Sequence, residues 1–247
     1  MLLSASCACI LKMPRRPSVS HFSGSMSLIH RQSSLVAKMT ADDTLNSKSK
    51  PWLLVGLGNP GKLYNGTRHN VGFEMIDTIA RAEGISVSRV ECKALFGKGH
   101  VDGIPVLLAK PQTFMNVSGQ SVGPLAAYYK VPLNQVLLIF DCMDLPFATL
   151  RLLPKGGPGG HNGMKSVIDH LKGNRDFPRL RIGIGRPPGK MDPATYVLRP
   201  FTKQEREEMD LTLQEGLEAV KLLITQGFNK SATMVNSGQK AKIKITE

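Results

Sequence analysis

The side chains able to do chemistry in this chain of 247 residues collect in a few short polar stretches. Asn59 precedes Pro60-Gly61, Asn116 follows Phe114-Met115, and Asn162 follows Gly159-Gly160-His161. A carboxamide both donates and accepts, so converging asparagines can hold a peptide or ester carbonyl and fix a water. Asparagine also caps helices and tolerates turns, a duty open to any one of the three. His69 opens a predicted helix in Thr67-Arg68-His69-Asn70. A lone histidine there is a helix-start residue unless a carboxylate reaches it. Asp141 ends the apolar run 136–140, where a parallel strand can deliver a catalytic group. An Asp–His pair holds the imidazole in one tautomer and stabilises its protonated form, so the ring can deprotonate water. No Cys or Ser is placed as a nucleophile, and no ligand cluster indicates a metal. The simplest reaction left is direct hydrolysis of a reactive ester by activated water, with no cofactor.

Two motifs compete with that reading. Gly56-Leu57-Gly58-Asn59-Pro60-Gly61 satisfies G-x-G-x-x-G, the turn of a dinucleotide site. In such a site the third glycine opens a helix, and an acidic residue follows about 20 positions on. Here Gly61 leads into the polar loop 62–67, and Asp77 falls inside a predicted helix. Gly119-Gln120-Ser121-Val122-Gly123 fits G-x-S-x-G, with Asp141 and His161 following in hydrolase order. A nucleophile elbow needs a strand running directly into its serine. The preceding strand ends near Lys110, so Ser121 is expected on a helix.

Charge supplies a second theme. Residues 151–200 carry ten Lys/Arg against three Asp/Glu, whereas 51–150 carry eight against seven and 201–247 seven against seven. A folded domain with one concentrated basic stretch has the electrostatic footprint of a polyanion binder; a solvated surface is the plainer alternative. Arg179 and Arg181 share one face of a predicted strand by its two-residue period, with Leu180 and Ile182 turned to the core. Arg151 lies on another predicted strand. Guanidinium groups suit bidentate phosphate recognition, and ordinary edge-strand charge is the competing explanation.

The elements that must position these groups follow from the hydrophobic pattern. Strands are expected at 52–58, 136–140, 149–153 and 179–185. Asp102-Gly103 marks a hairpin between 96–101 and 104–110. Helices are expected at 70–83, 118–129, 164–171 and 204–226, the last with Met209, Leu213, Leu217, Val220 and Ile224 on one face. Gly156-Gly157-Pro158-Gly159-Gly160 cannot be regular structure. Apolar residues are 41% and charged residues 21% of the chain, so a sizeable core is available. Strands alternating with helices give an α/β sandwich whose sheet is covered on both faces. Order is expected over 51–235, followed by a polar tail at 236–247.

Residues 1–50 read as an organellar transit peptide: eleven serines, seven Lys/Arg, and no acidic residue before Asp42. Early arginines favour a mitochondrial over a chloroplast address. The apolar opening lacks a basic flank and is too short to span a bilayer, so no membrane association is expected. Cys92 and Cys142 form no C-x-x-C pair and indicate neither a disulfide scaffold nor a zinc site.

Gly56-Leu57-Gly58-Asn59-Pro60-Gly61, Thr67-Arg68-His69-Asn70-Val71-Gly72, Phe114-Met115-Asn116, Asp144-Leu145-Pro146, Gly159-Gly160-His161-Asn162-Gly163 and Arg179-Leu180-Arg181-Ile182-Gly183-Ile184-Gly185 together resemble the bacterial-type peptidyl-tRNA hydrolases, in order and spacing, over roughly 52–235. The resemblance implies a monomeric single-domain α/β/α sandwich with a twisted mixed, mostly parallel sheet. It implies an enzyme that cleaves the ester between a peptide and the terminal ribose of tRNA, releasing the tRNA for reuse. By motif position His69 resembles the general base and Asp141 its orienting carboxylate. Asn59 resembles the residue that separates N-blocked from free aminoacyl-tRNA. Tyr64, Phe114, Asn116 and Asn162 match positions that hold the peptide and the tRNA end, and Arg181, with Arg151, a clamp on the 5′ phosphate. Two positions depart. Asp141-Cys142-Met143-Asp144 stands where the family has Asp-Glu-Leu-Asp or Asp-Asp-Leu-Asp, and Leu153 where a second basic residue is often found.

A plastid branch resembling this family works in group II intron splicing with protein partners and without hydrolysis. The leader and the run 183–193 are similar to that branch. A patch of exposed apolar residues on a helix would favour such a partner-binding protein; an intact His69–Asp141 contact in an open cleft would favour the enzyme.

Overall fold

The computed structural model describes the backbone of residues 50–245 and the side chains through residue 237. The expected leader lies outside the described residues except for Lys50. Seven strands form one sheet: β1 (Trp52–Gly56), β2 (Arg89–Glu91), β3 (Ala94–Val101), β4 (Ile104–Pro111), β5 (Val136–Cys142), β6 (Leu150–Leu153) and β7 (Arg179–Gly183). Their spatial order is β2-β3-β4-β1-β5-β7-β6. The central strands β4, β1, β5 and β7 are parallel; β2, β3 and β6 attach through antiparallel pairings. Around them pack α1 (Val71–Ala82), α2 (Gly119–Tyr128), α3 (Asn162–His170), α4 (Pro193–Val197), α5 (Lys203–Gln226) and α6 (Phe228–Ile245).

The layering follows from strand periodicity. Successive strand side chains point to opposite faces, and here they enter separate cores. Leu54, Leu137, Ile139, Leu180 and Ile182 pack with Met75 and Ile79 of α1 and with the α5 stripe Met209, Leu213, Leu217, Val220 and Ile224. Leu53, Val55, Leu138 and Phe140 pack with Val122 and Leu125 of α2 and Met164 and Val167 of α3. Continuous apolar runs such as Trp52–Gly56 are therefore covered on both sides, as parallel strands require. This is the expected three-layer α/β/α arrangement with a mixed sheet.

Local signals set the element ends. Asp102 and Gly103 both adopt positive φ, 48° and 78°, the pair a two-residue hairpin turn demands. Thr202 and Glu205 form a reciprocal capping box at the start of α5. Asp192 caps α4 by accepting the Thr195 amide N–H.

Three elements depart from expectation. β2 has only three residues and no sequence signal. α4 falls in the stretch 186–203, where no element was expected. The helix α6 runs through Ile245, past the tail boundary expected at 236. Its Asn236 amide accepts from the Leu152 N–H and donates to the Leu152 carbonyl, both at 3.0 Å. A side chain thus satisfies the free backbone edge of β6, which a polar-tail reading could not anticipate. No helix among the described residues is long and apolar enough to cross a membrane.

Candidate active site

The chain leaves β1 through α1 toward β4 on one side, then returns through α2 to β5 on the other side of β1. The crevice between the carboxyl ends of β1 and β5 is thus the switch point at which open α/β sheets bind ligands. A cleft of about 830 Å³ opens there, and Asn59, Tyr64, His69, Phe114, Asp141 and Arg181 line part of it. Glycines make the approach of elements possible. A Cβ on Gly72 would lie 2.5 Å from the Ile139 and Leu57 carbonyl oxygens, and one on Gly56 would lie 2.0 Å from the Gly72 oxygen. Only with both bare can the start of α1 sit on β1 and β5, bringing the turn Arg68–Asn70 against Asp141.

His69 Nδ1 lies 2.9 Å from Asp141 Oδ1. The carboxylate is 3% exposed and the imidazole 16%, so the pair is nearly dry while one ring edge reaches the cleft. Burial alone would push the Asp141 carboxyl upward, but the charge of His69 and the hydrogen bonds from His69 and His161 outweigh it and hold it well below the usual carboxylate range. For His69, burial pulls the pKa down, yet the Asp141 charge and hydrogen bond raise it above 6.5. With Nδ1–H donated to Asp141, Nε2 is left to accept a proton from water.

His161 was given no role beyond a decoy triad and a place in the motif Gly159–Gly163, and the structure brings it to the same carboxylate oxygen, Nε2 to Asp141 Oδ1, at 3.1 Å. It also caps α3, its Nδ1 accepting the Met164 N–H at 3.2 Å. Accepting that bond requires the lone pair on Nδ1, so the proton sits on Nε2 and is donated to Asp141. This tautomer bears on a metal as well. His69, Asp141 and His161 offer three ligand atoms within 4.8 Å of one another. A protonated Nε2 cannot ligate, so the donor set does not fit a metal and serves as a hydrogen-bonded triad.

Asn59 is held from three directions. Its N–H donates to Asn70 Oδ1 at 2.8 Å, and its carbonyl accepts from Asn70 Nδ2 at 2.9 Å. Its side-chain Oδ1 accepts the Met115 N–H at 2.8 Å, which leaves Nδ2 to donate into the cleft. Asn70 was missed as a site residue; its mark was only its place beside His69. Asn116 and Asn162 are exposed at the rim. Tyr64 and Phe114 meet edge to face with centroids 6.3 Å apart. Phe114 is 60% exposed, an apolar ring at the mouth with room for a planar or apolar ligand group.

The arginines separate. Arg179 is fully buried, and its guanidinium donates to the carbonyls of Gly156, Gly157, Arg175 and Phe177. It fixes the glycine loop and has no donor left for phosphate; burial, then the Arg181 charge, brings its pKa down to about 10. Arg181 stays half-buried in the cleft, donating to Cys142 Sγ at 2.8 Å with Asp144 at 3.9 Å. Arg151 pairs directly across from Arg181. It is not a cleft-lining residue, and its Nε is buried without a hydrogen-bond partner. Leu153 lines the cleft.

Both decoys resolve. After Gly61 come two 3-10 turns, Lys62–Tyr64 and Arg68–Asn70, and α1 begins only at Val71, so the third glycine does not itself open a helix as a dinucleotide site requires. Ser121 is fully buried within α2 and is no part of the cleft.

Comparison with known proteins agrees with this geometry. The family described as peptidyl-tRNA hydrolase matches residues 53–244. A mitochondrial peptidyl-tRNA hydrolase of Oryza sativa subsp. japonica is 68% identical over 78% of this chain and 78% of its own length. A chloroplastic group IIB intron splicing facilitator of Arabidopsis thaliana is 51% identical over 92% of this chain and 95% of its own. The crystal structure of peptidyl-tRNA hydrolase from Acinetobacter baumannii superposes with a TM-score of 0.72 at 36% identity, covering 76% of this chain and 95% of that one. With fold, cleft and sequence in agreement, the chain belongs to the peptidyl-tRNA hydrolase family.

Proposed function

We propose that this chain hydrolyses the ester between an N-blocked aminoacyl or peptidyl group and the terminal ribose of tRNA, with His69 as general base. The observation that carries this reading is the His69 Nδ1–Asp141 contact at 2.9 Å in an open cleft. Asp141 orients the ring, and Nε2 takes the proton of a water as it attacks the ester carbonyl. Asn59 Nδ2, aimed by Met115 and Asn70, donates to the carbonyl of the N-blocking group. Asn116 and Asn162 hold the remaining polar atoms, and Tyr64 with Phe114 supplies the apolar wall. Arg181, supported by Arg151 across the strand pair, holds a tRNA phosphate. A monomeric enzyme that acts without a cofactor is part of this proposal. The setting is organellar: the rice relative is mitochondrial and the splicing relative chloroplastic.

The test is hydrolysis of N-acetyl-aminoacyl-tRNA by the purified protein, against the unblocked aminoacyl-tRNA. Release from the blocked substrate alone is expected; equal release from both would remove Asn59 from its role. Substrate binding should weaken with salt through counterion competition, and Arg181→Ala should reduce the slope of log K against log salt by about 1.

A second reading, a partner-binding role in RNA splicing, rests on the 51% identity to the splicing facilitator. Among the described residues the exposed large apolar side chains on helices are Tyr128 of α2, Leu211 of α5 and Met234 of α6. Each sits alone on its helix among the side chains described, which run through residue 237. Absence of hydrolysis together with capture of a splicing partner would favour that reading.

A further inference from the structure

The successive side chains of the turn Arg68–Asn70 reach three different parts of the fold. His69 turns to Asp141 of β5, and Asn70 to the Asn59 backbone after β1. Arg68 turns the other way, to the junction of α4 and α5. Its N–H donates to the Arg199 carbonyl at 3.1 Å, and Thr67 bridges Pro200. Its Nη1 donates to the carbonyls of Arg199 at 3.2 Å and Pro200 at 2.7 Å. Its Nη2 lies 2.8 Å from both carboxylate oxygens of Glu205. The guanidinium carbon stands 4.5 Å from the Tyr196 ring centre and 5.2 Å from that of Phe201. Tyr196 is itself fixed by donating to the Ile184 carbonyl at 2.6 Å. The residue is 6% exposed.

A buried guanidinium with this many partners is costly to desolvate and strongly directional. The segment it holds also reaches the cleft, which Pro193, Ala194, Val197 and Leu198 line together with His69. We infer that Arg68 is a positioning residue for hydrolysis: with Glu205 it locks the turn bearing His69 to the α4–α5 wall, so that the base and the substrate-facing wall move as one body. The inference rests on the hydrolase reading for its effect on rate, but not for its effect on the His69 ring. The groups that face His69 are Asp141 from β5 and His161 from the start of α3. Arg68 meets Glu205 of α5, and Arg206, paired with Glu74, stacks on Phe201 as well.

The test uses Arg68→Lys, which keeps charge and most of the volume but cannot reach two carbonyls and a carboxylate at once, and Glu205→Gln, which keeps shape and removes the ion pair. For each, thermal stability, kcat and KM on N-acetyl-aminoacyl-tRNA, and the His69 imidazole titration by NMR are measured in the full chain. Expected in both is a folded protein whose kcat falls on the order of 10- to 100-fold while KM changes less than about threefold. The His69 titration moves to lower pH as the Asp141 contact loosens. An unshifted His69 titration in the folded variants overturns the inference, whatever the activity; so does an unchanged kcat in variants of an active wild type. If Arg68→Lys does not fold, Glu205→Gln decides on the same readouts. A wild type without turnover would instead sink the hydrolase reading, and the NMR titration would still decide this one.

Discussion

Two glycine-rich connections, 57–70 after β1 and 154–162 after β6, each end in an imidazole on the same oxygen of Asp141. The two rings stand 5.3 Å apart at a 48° tilt, yet they are not equivalent. His69 offers Nδ1 to the carboxylate, and its Nε2 remains open to the cleft. His161 offers Nε2, because its Nδ1 is occupied by the Met164 N–H at the start of α3. One ring retains a nitrogen that can take a proton; the other has none. Residue type and partner are identical, so the difference comes from which nitrogen the local backbone engages. A histidine at a helix N-cap is turned into a hydrogen-bond donor to the carboxylate, and a histidine on a preceding 3-10 turn is left with an open Nε2.

The largest expected effect tests the ring taken as base. His69→Ala should lower kcat by about 10²–10⁴-fold in the N-acetyl-aminoacyl-tRNA assay; retained activity would reassign the base. Asp141→Asn comes next, on the order of 10²-fold, with a change of pH profile. Wild-type kcat/KM should fall on the acid side with an apparent pKa above 6.5, because Asp141 favours the protonated ring and the base works only when neutral. Removing the carboxylate charge moves that limb to lower pH. His161→Ala removes one hydrogen bond to a charged acceptor, about 1.5 kcal/mol or more, and should cost roughly tenfold. Its acid limb should move the opposite way, upward, because Asp141 then pulls on His69 alone. A shift in the same direction as Asp141→Asn would break the assigned difference between the rings. Ser121→Ala, in the buried decoy motif, should leave turnover unchanged within about twofold, read in the same assay.

The same contrast shows how much was legible beforehand. His69, Asp141 and the three asparagines stood out because their types were wrong for a core and sat at predicted element ends. The central strands were visible as apolar runs, and the hairpin as Asp102-Gly103. What escaped depended on partners far along the chain. His161 looked like a triad decoy, and only the folding of α3 against β5 put it on Asp141. Arg179 and Arg181 are alike by strand period, both on one face. The glycine loop folds over Arg179 and takes all its donors, while Arg181 faces open cleft. The helix α6 was hidden because its polar residues read as a tail, whereas Asn236 pairs with the Leu152 backbone and Ser231 with the Ala219 carbonyl.

Composition and order of residues alone determined that strands would alternate with helices, that the sheet would be covered on both faces, and that amides, an imidazole and a carboxylate would stand at the strand ends. Those outcomes rest on local periodicity and turn chemistry, which neighbours within about ten residues settle. Only the tertiary structure decided which imidazole keeps a free nitrogen, which arginine keeps free donors, and what holds Arg68 beside the His69 turn. Each of these needs, beside local bonds such as Met164 N–H to His161, at least one hydrogen bond between residues from 20 to 137 positions apart, and such bonds exist only once the layers have packed.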